Sequence, residues 1–183
     1  MESKSLRTSH KLRSQIQNNT ITNPRVSGED EDVIENIQQV IEALEKNNTI
    51  LCVTFHNHFL GCLRNDARSN LVDSLGRISS LQEAHLEDAL LMVSDVADLL
   101  VQAECLKVLT LKNIVLQGVK EQFDACEMAL YQHGSVKEFR MDKCTPALEE
   151  ISLERMELAG KKQGACPTTI QTAQQQSKGA KTA

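Results

Sequence analysis

Apolar residues recur along this chain in an eleven-residue pattern, at positions 1, 4, 6, 9 and 11 of each copy. The apolar positions 4 and 6 alternate with polar ones, as in a half-buried strand, so each copy predicts one short strand. The cleanest copy has leucine or isoleucine at all five apolar positions. The five copies begin at Ile50, Leu81, Leu106, Val136 and Leu148.

Between the copies, apolar residues are spaced for one face of a helix. The first such stripe predicts a helix from Asp32 to Lys46, after acidic residues that suit a helix N-terminus. Strands alternating with helices of roughly ten residues predict parallel pairing, because each helix carries the chain back across the sheet. A helical bundle is the alternative, since Leu71 to Ala103 could form two long helices. The later stripes predict helices capped by Asp66 and Ser94, and a last one from Val119 to His133.

The first four copies begin 31, 25 and 30 residues apart, at or just above the roughly 20–29 residues of a leucine-rich repeat. The chain from about Asp32 to Gly160 thus resembles the ribonuclease-inhibitor-like class of leucine-rich repeat proteins. The resemblance implies an α/β fold, a leucine-rich-repeat solenoid shaped as a short horseshoe. Its parallel sheet would line the concave face and its helices the convex face. The chain departs from the family at the asparagine that bonds the turn backbone, which implies looser turns. That position holds His58, Ala89, Ile114, Cys144 (an accepted variant) and Met156.

The pattern divides the chain into three parts. Residues 1–28 are polar and predict a disordered leader, residues 29–160 hold four to five repeats, and residues 161–183 predict a disordered polar tail. The last interval, 12 residues, is too short for a returning helix. Residues 146–158 therefore leave two alternatives. The repeat frame favours a fifth strand, and residue propensity favours a capping helix that begins after Thr145 and ends before Gly160.

Composition excludes several function classes. The formal net charge of -5 and the low aromatic content, 3% with no Trp, argue against a nucleic-acid surface. No segment approaches the roughly 20 apolar residues of a membrane span, and the first residues lack the apolar core of a secretory signal. The six cysteines include no C-x-x-C pair, so we expect reduced thiols in a cytoplasmic protein and no structural zinc site.

Function is expected on the outward side chains of the strands, which alternate with the core positions. On the concave face six carboxylates would then meet two cations, and closely spaced like charges steer a basic partner. The sequence therefore predicts a protein-binding scaffold whose partner has a basic surface. The residues predicted to bind it are Glu83, His85, Glu87, Thr110, Lys112, Glu138, Arg140, Asp142, Glu150 and Glu154.

Other interpretations of these features remain open. A charged strand face also keeps a sheet soluble, and the chain could be a degenerate or terminal fragment of a longer repeat protein with a structural role only. No enzyme is predicted, because the sequence lacks a G-x-S-x-G motif and a Gly-rich loop before a helix. His56, His85 and Glu87 could meet on adjacent strands, but with no fourth ligand they predict neither a metal site nor a cofactor.

Overall fold

The computed structural model describes residues 12–147 and 152–162. A parallel sheet of six strands forms one layer, with the strand order β1-β2-β3-β4-β5 and the short β6 also paired with β4. The strands are β1 (Arg25–Ser27), β2 (Cys52–His56), β3 (Glu83–Met92), β4 (Val108–Gln117), β5 (Glu138–Asp142) and β6 (Thr145–Pro146). The helices are α1 (described over residues 12–17), α2 (Glu31–Glu35), α3 (Ile37–Glu45), α4 (Phe59–Cys62), α5 (Asn65–Gly76), α6 (Val93–Gln102), α7 (Lys120–Gln132) and α8 (Glu154–Lys162).

The eleven-residue pattern corresponds to the register of the sheet. Val53 pairs with Ala84, Ala84 with Leu109, and Leu109 with Phe139, and all four are buried. The row that begins at Phe55 is aligned in the same way. The predicted α/β class and the parallel sheet are therefore confirmed. The helical-bundle alternative is wrong, because the chain between α5 and α6 forms strand β3.

The helices pack side by side as the second layer. α3 contacts α5, and contacts then follow in order from α5 to α6, α7 and α8. Their apolar stripes, including Leu71, Val96 and Phe123, join the strand residues in one hydrophobic core. The predicted capping roles of Asp66 and Ser94 are wrong. The helices start at Asn65 and Val93, one residue before the predicted caps, directly after the extended residues Arg64 and Met92, and no side chain caps them.

The first predicted helix is divided into α2 and α3. Asn36 separates them, with φ −110° and ψ 27°. Its Nδ2 donates a hydrogen bond to the carbonyl oxygen of Asp32 at 2.8 Å, a local bond that competes with helical pairing. Val40 and Ile41 still lie in the core, as the stripe predicted.

Residues 12–28 belong to the fold, in contrast to the disordered leader predicted for this part of the chain. They form α1 and β1 and bury Ile16 and Val26, each 1% exposed. The carbonyl oxygen of Pro24 accepts a hydrogen bond from β2 at 3.0 Å. Ile21, Pro24 and Val26 match positions 1, 4 and 6 of the frame, 29 residues before its first recognised copy. The segment is thus an additional repeat, which the proline at a core position had concealed.

The C-terminal part follows neither alternative completely. The chain first adds the short strand β6 and then forms α8, so the capping helix exists but starts at Glu154, later than predicted. Gly160 lies inside α8 and not beyond its end. A Cβ at Gly160 would come within 2.5 Å of the Cβ of Phe139. Glycine thus permits the close approach of α8 to β5. Outside the described residues are 1–11, 148–151 and the predicted tail from 163 onward.

Each of four repeats contains a left-handed residue at the same place, with φ between 49° and 56°. These residues are Asn57, Asp88, Asn113 and Lys143. Asn and Asp tolerate this region better than other non-glycine residues. The amide of Asn113 also donates to Asp88 Oδ1 at 2.7 Å. The left-handed residue of each repeat therefore lies one position before the place where the sequence resemblance implied an asparagine. At the next position, Cys144 donates its thiol hydrogen to the carbonyl oxygen of Leu111 in β4 at 3.3 Å.

Candidate interaction surface on the open face of the sheet

The side chains that alternate with the core positions of β1 to β5 form what we call the open face of the sheet. Sheet register aligns them in three rows, and each is partly or fully exposed. The open face comprises Arg25, Ser27, Cys52, Thr54, His56, Glu83, His85, Glu87, Val108, Thr110, Lys112, Glu138, Arg140 and Asp142.

Eight of the ten predicted partner-binding residues lie on this face. The exceptions come from the part of the chain where a fifth strand was expected. Glu154 is in the first turn of α8, so its placement on a strand is wrong, because this segment is helical. Glu150 lies outside the described residues. The eight on the face are Glu83, His85, Glu87, Thr110, Lys112, Glu138, Arg140 and Asp142.

The charges on the open face are closer to balance than the sequence suggested. Lys112 Nζ lies 3.4 Å from Glu87 Oε2, and the guanidinium of Arg140 contacts the Glu138 carboxylate. Strand β1 contributes Arg25, which sequence analysis missed together with its repeat. Asp142 is exposed and forms no ion pair with any residue in the described ranges. The face therefore alternates in sign, with Asp142 as an unneutralised acidic position.

A cluster of three different ligand types lies where β2 meets β3. Cys52 Sγ, a carboxylate oxygen of Glu83 and a ring nitrogen of His85 are all within 4.8 Å of one another. His85 Nε2 lies 3.6 Å from Glu83 Oε2. Burial first, and the charge of Glu83 second, raise the pKa of the Cys52 thiol, while Thr54 and Arg25 oppose this rise. The cluster lines a groove of about 420 Å³.

The thiols of Cys52, Cys126 and Cys144 and the hydroxyl of Thr110 are not activated as nucleophiles. Burial raises the pKa of the thiols of Cys52 and Cys144, and that of Cys126 to about 12. Thiols with raised pKa are poor nucleophiles at neutral pH. Thr110 Oγ1 is buried and has no hydrogen-bonded base within the described residues. The five cysteines of the described ranges are all free.

The helix layer has a separate, more apolar surface. Val101 is 70% exposed on α6, Met128 is 54% exposed on α7, and Leu158 is 54% exposed on α8. A cavity of about 410 Å³ between α6 and α7 is lined in part by Val101 and His133. Within the described part of the chain, no helix has the length and apolar character needed to cross a bilayer.

The sequence matches no protein-family model, and no curated protein sequence is significantly similar to it. Solved structures nevertheless share its fold. A structure of leiomodin-1 actin-binding site 2 superposes with a TM-score of 0.59 at 13% identity, covering 84% of this chain and 87% of that one. The tropomodulin C-terminal domain of Caenorhabditis elegans superposes with a TM-score of 0.57 at 12% identity, covering 88% and 93%. This chain therefore has the leucine-rich-repeat-like α/β fold of these domains, with its parallel sheet.

Proposed function

We propose that this protein is an interaction module that binds a protein partner through the open face of its sheet. The observation that carries the proposal is the alignment of polar and charged side chains in three rows on one sheet, each of them at least partly exposed. The backbone of a paired strand is already ordered before a partner binds, which lowers the entropic cost of association.

The charge pattern supports a partner with basic side chains opposite Asp142. Glu87 and Glu138 already contact cations of this chain, whereas Asp142 is exposed and unneutralised within the described residues. Complementary charges at such exposed positions act mainly on association rate and selectivity, and screening by salt weakens them. Binding should therefore weaken as ionic strength rises.

Charge reversal on the open face tests this proposal. The variant Glu87→Lys with Asp142→Lys should lose proteins that the wild-type chain captures by affinity purification. The matched control, Glu42→Lys with Asp98→Lys, makes the same change in net charge at exposed positions of α3 and α6 and should retain them. Circular dichroism and thermal unfolding verify that both variants fold. Equal capture by both variants would reject the open face as the binding surface.

Actin is the first defined partner to test. The leiomodin structure of similar fold is an actin-binding site, and this likeness is what favours actin here. Purified wild-type chain should cosediment with actin filaments or shift monomeric actin in gel filtration, and the open-face variant should do so less. Absence of binding to both forms would reject actin, while the capture experiment would still test the open face.

The competing proposal is a purely structural role as a fragment of a longer repeat protein. It predicts a broad, low-temperature unfolding transition and self-association, because an incomplete array leaves strand edges and core residues exposed. A single sharp transition of a monomer would favour an autonomous module.

A further inference from the structure

The cluster at the β2–β3 boundary has the donor set of a transition-metal site. Cys52 and Glu83 are direct register partners on adjacent strands, and His85 lies two residues after Glu83 on the same face. Their sulfur, oxygen and nitrogen ligand atoms fall within 4.8 Å of one another. The sheet register thus brings Cys52 next to Glu83, although they are 31 positions apart in the sequence.

The distances between the three ligand atoms suit coordination of a single metal ion. Zn²⁺ holds its ligands at about 2.0–2.3 Å in a tetrahedron, which places neighbouring ligand atoms roughly 3.3–3.8 Å apart. His85 Nε2 and Glu83 Oε2 are already 3.6 Å apart. Cys52 Sγ lies within 4.8 Å of both of these ligand atoms. The mixture of thiolate, imidazole and carboxylate favours Zn²⁺ and Co²⁺ over the hard cations Mg²⁺ and Ca²⁺, which take oxygen ligands.

The surroundings of the cluster support a bound ion with an open position. The groove that holds it is also lined by Asn23, Arg25 and Gln82, so solvent or a partner side chain can reach the ion. Burial and the charge of Glu83 leave the pKa of the Cys52 thiol raised, and Thr54 and Arg25 offset this only in part. A bound cation would favour loss of the thiol proton, because a coordinated thiol is deprotonated.

We infer that Cys52, Glu83 and His85 form a binding site for a divalent transition-metal ion of the Zn²⁺ class, with the fourth coordination position open to water. On binding, the Cys52 thiol releases its proton to solvent and its sulfur donates an electron pair to the ion. The imidazole of His85 and the carboxylate of Glu83 also donate electron pairs to the ion. Affinity therefore falls with decreasing pH, since protons compete with the ion for the same atoms. The inference stands independently of the proposed protein binding.

Cobalt titration of the full-length reduced chain tests the site. Co²⁺ bound through Cys52 should produce a sulfur-to-cobalt charge-transfer band in the near ultraviolet, and Zn²⁺ should displace it. Cys52→Ser should abolish the band. His85→Gln should keep it but weaken the affinity at least about tenfold, as losses around metal sites do.

The control variants are Cys62→Ser and His56→Ala. Cys62 is exposed and outside the cluster, and His56 is on the same face of β2 but in another row. Both should bind Co²⁺ as the wild type does, and circular dichroism verifies the fold of all four variants. The inference is overturned if no charge-transfer band forms, or if the band survives Cys52→Ser. It is also overturned if His56→Ala weakens binding as much as His85→Gln, since the ligands would then lie elsewhere.

Discussion

At the scale of single residues, two different side chains accept backbone hydrogen bonds in the turn before a repeat strand. Asn47 Oδ1 accepts hydrogen bonds from two backbone N–H groups, including that of Ile50 at 2.9 Å. His133 Nδ1, three positions before its own strand copy, accepts two as well, including that of Val136 at 3.1 Å. Its Nε2 lies 3.1 Å from the carbonyl oxygen of Ala103. The fold therefore requires a neutral imidazole with its proton on Nε2.

Acidification should destabilise the protein through His133. Burial lowers its pKa from the ordinary value of 6.5, and the bond to Ala103 opposes this only in part. Because the pKa of His133 is lower in the folded state than in the unfolded state, neutral His133 contributes fully to the stability of the fold above the unfolded-state pKa. This stabilisation is lost as the pH falls from the unfolded-state pKa toward the folded-state pKa. We expect the urea midpoint to fall as the pH decreases below the ordinary histidine pKa of 6.5, and to fall less in His133→Asn, which keeps an acceptor and does not titrate. Parallel pH profiles for the two proteins would contradict this role.

Asn113 stabilises its repeat in two ways, which two substitutions separate. It holds a φ of 53° and donates to Asp88 Oδ1 at 2.7 Å. Asn113→Ala loses the hydrogen bond and strains the backbone, so we expect about 1–2 kcal/mol less stability. Asn113→Gly loses only the bond, because glycine adopts positive φ freely, and should cost less, about 0.5–1 kcal/mol. Chemical denaturation measures both. Equal losses would refute the contribution of backbone strain.

At the scale of elements, the contact between α8 and β5 depends on Gly160. A Cβ on this residue would lie 2.5 Å from the Cβ of Phe139 and 2.8 Å from its Cδ1. The α8 stripe buries Met156, so any outward movement of the helix also exposes a core residue. The helix therefore packs against the strand only with a glycine at this position.

Gly160→Ala tests this contact. Helix propensity alone would make alanine more stable by about 1 kcal/mol, but the overlap with Phe139 should produce a net loss of about 1–3 kcal/mol. Gly134→Ala is the matched control, because a Cβ there meets nothing within 4 Å, and its effect should stay within about 0.5 kcal/mol. Thermal or urea unfolding compares them. A Gly160→Ala protein as stable as the wild type would show that α8 does not approach β5 so closely.

At the scale of the whole molecule, the N-terminal repeat covers one edge of the sheet. The carbonyl oxygen of Thr22 accepts hydrogen bonds from the N–H groups of Leu51 at 2.7 Å and Cys52 at 3.2 Å. The amide of Asn47 donates to the carbonyl oxygen of Ile16 at 3.2 Å. Backbone pairing and side-chain bonds together make this segment part of the cooperative unit.

Removal of residues 1–28 should therefore lower the unfolding midpoint and promote self-association, because the edge of β2 becomes unpaired. Ile16→Ala is the comparison, since it removes core volume and leaves that edge paired. It should cost about 2–5 kcal/mol while the protein stays monomeric. Light scattering with gel filtration and thermal unfolding measure both properties. A truncated chain as stable and as monomeric as the full one would show that β1 contributes nothing to the fold.

The spacing of apolar residues alone determined the strand positions of four repeats and the helices between them. Both periodicities are local, because alternation defines a strand face and a three-to-four-residue stripe defines a helix face. Eight of the ten residues that this alternation predicted for the open face lie on it in the structure. The repeat at Ile21 obeyed the same frame, but its proline and polar neighbours reduced the signal below what the pattern alone could identify.

Only the tertiary structure decided which distant side chains meet. The convergence of Cys52, Glu83 and His85 depends on the register between β2 and β3, which no local pattern encodes. Neutralisation of Glu87 by Lys112 and the placement of Arg25 on the same face depend on pairing of whole strands. The position of α8 depended on the close contact between Gly160 and the side chain of Phe139. Contacts of this kind arise from packing between segments far apart in the chain, whereas periodicity records only which face of each segment is buried.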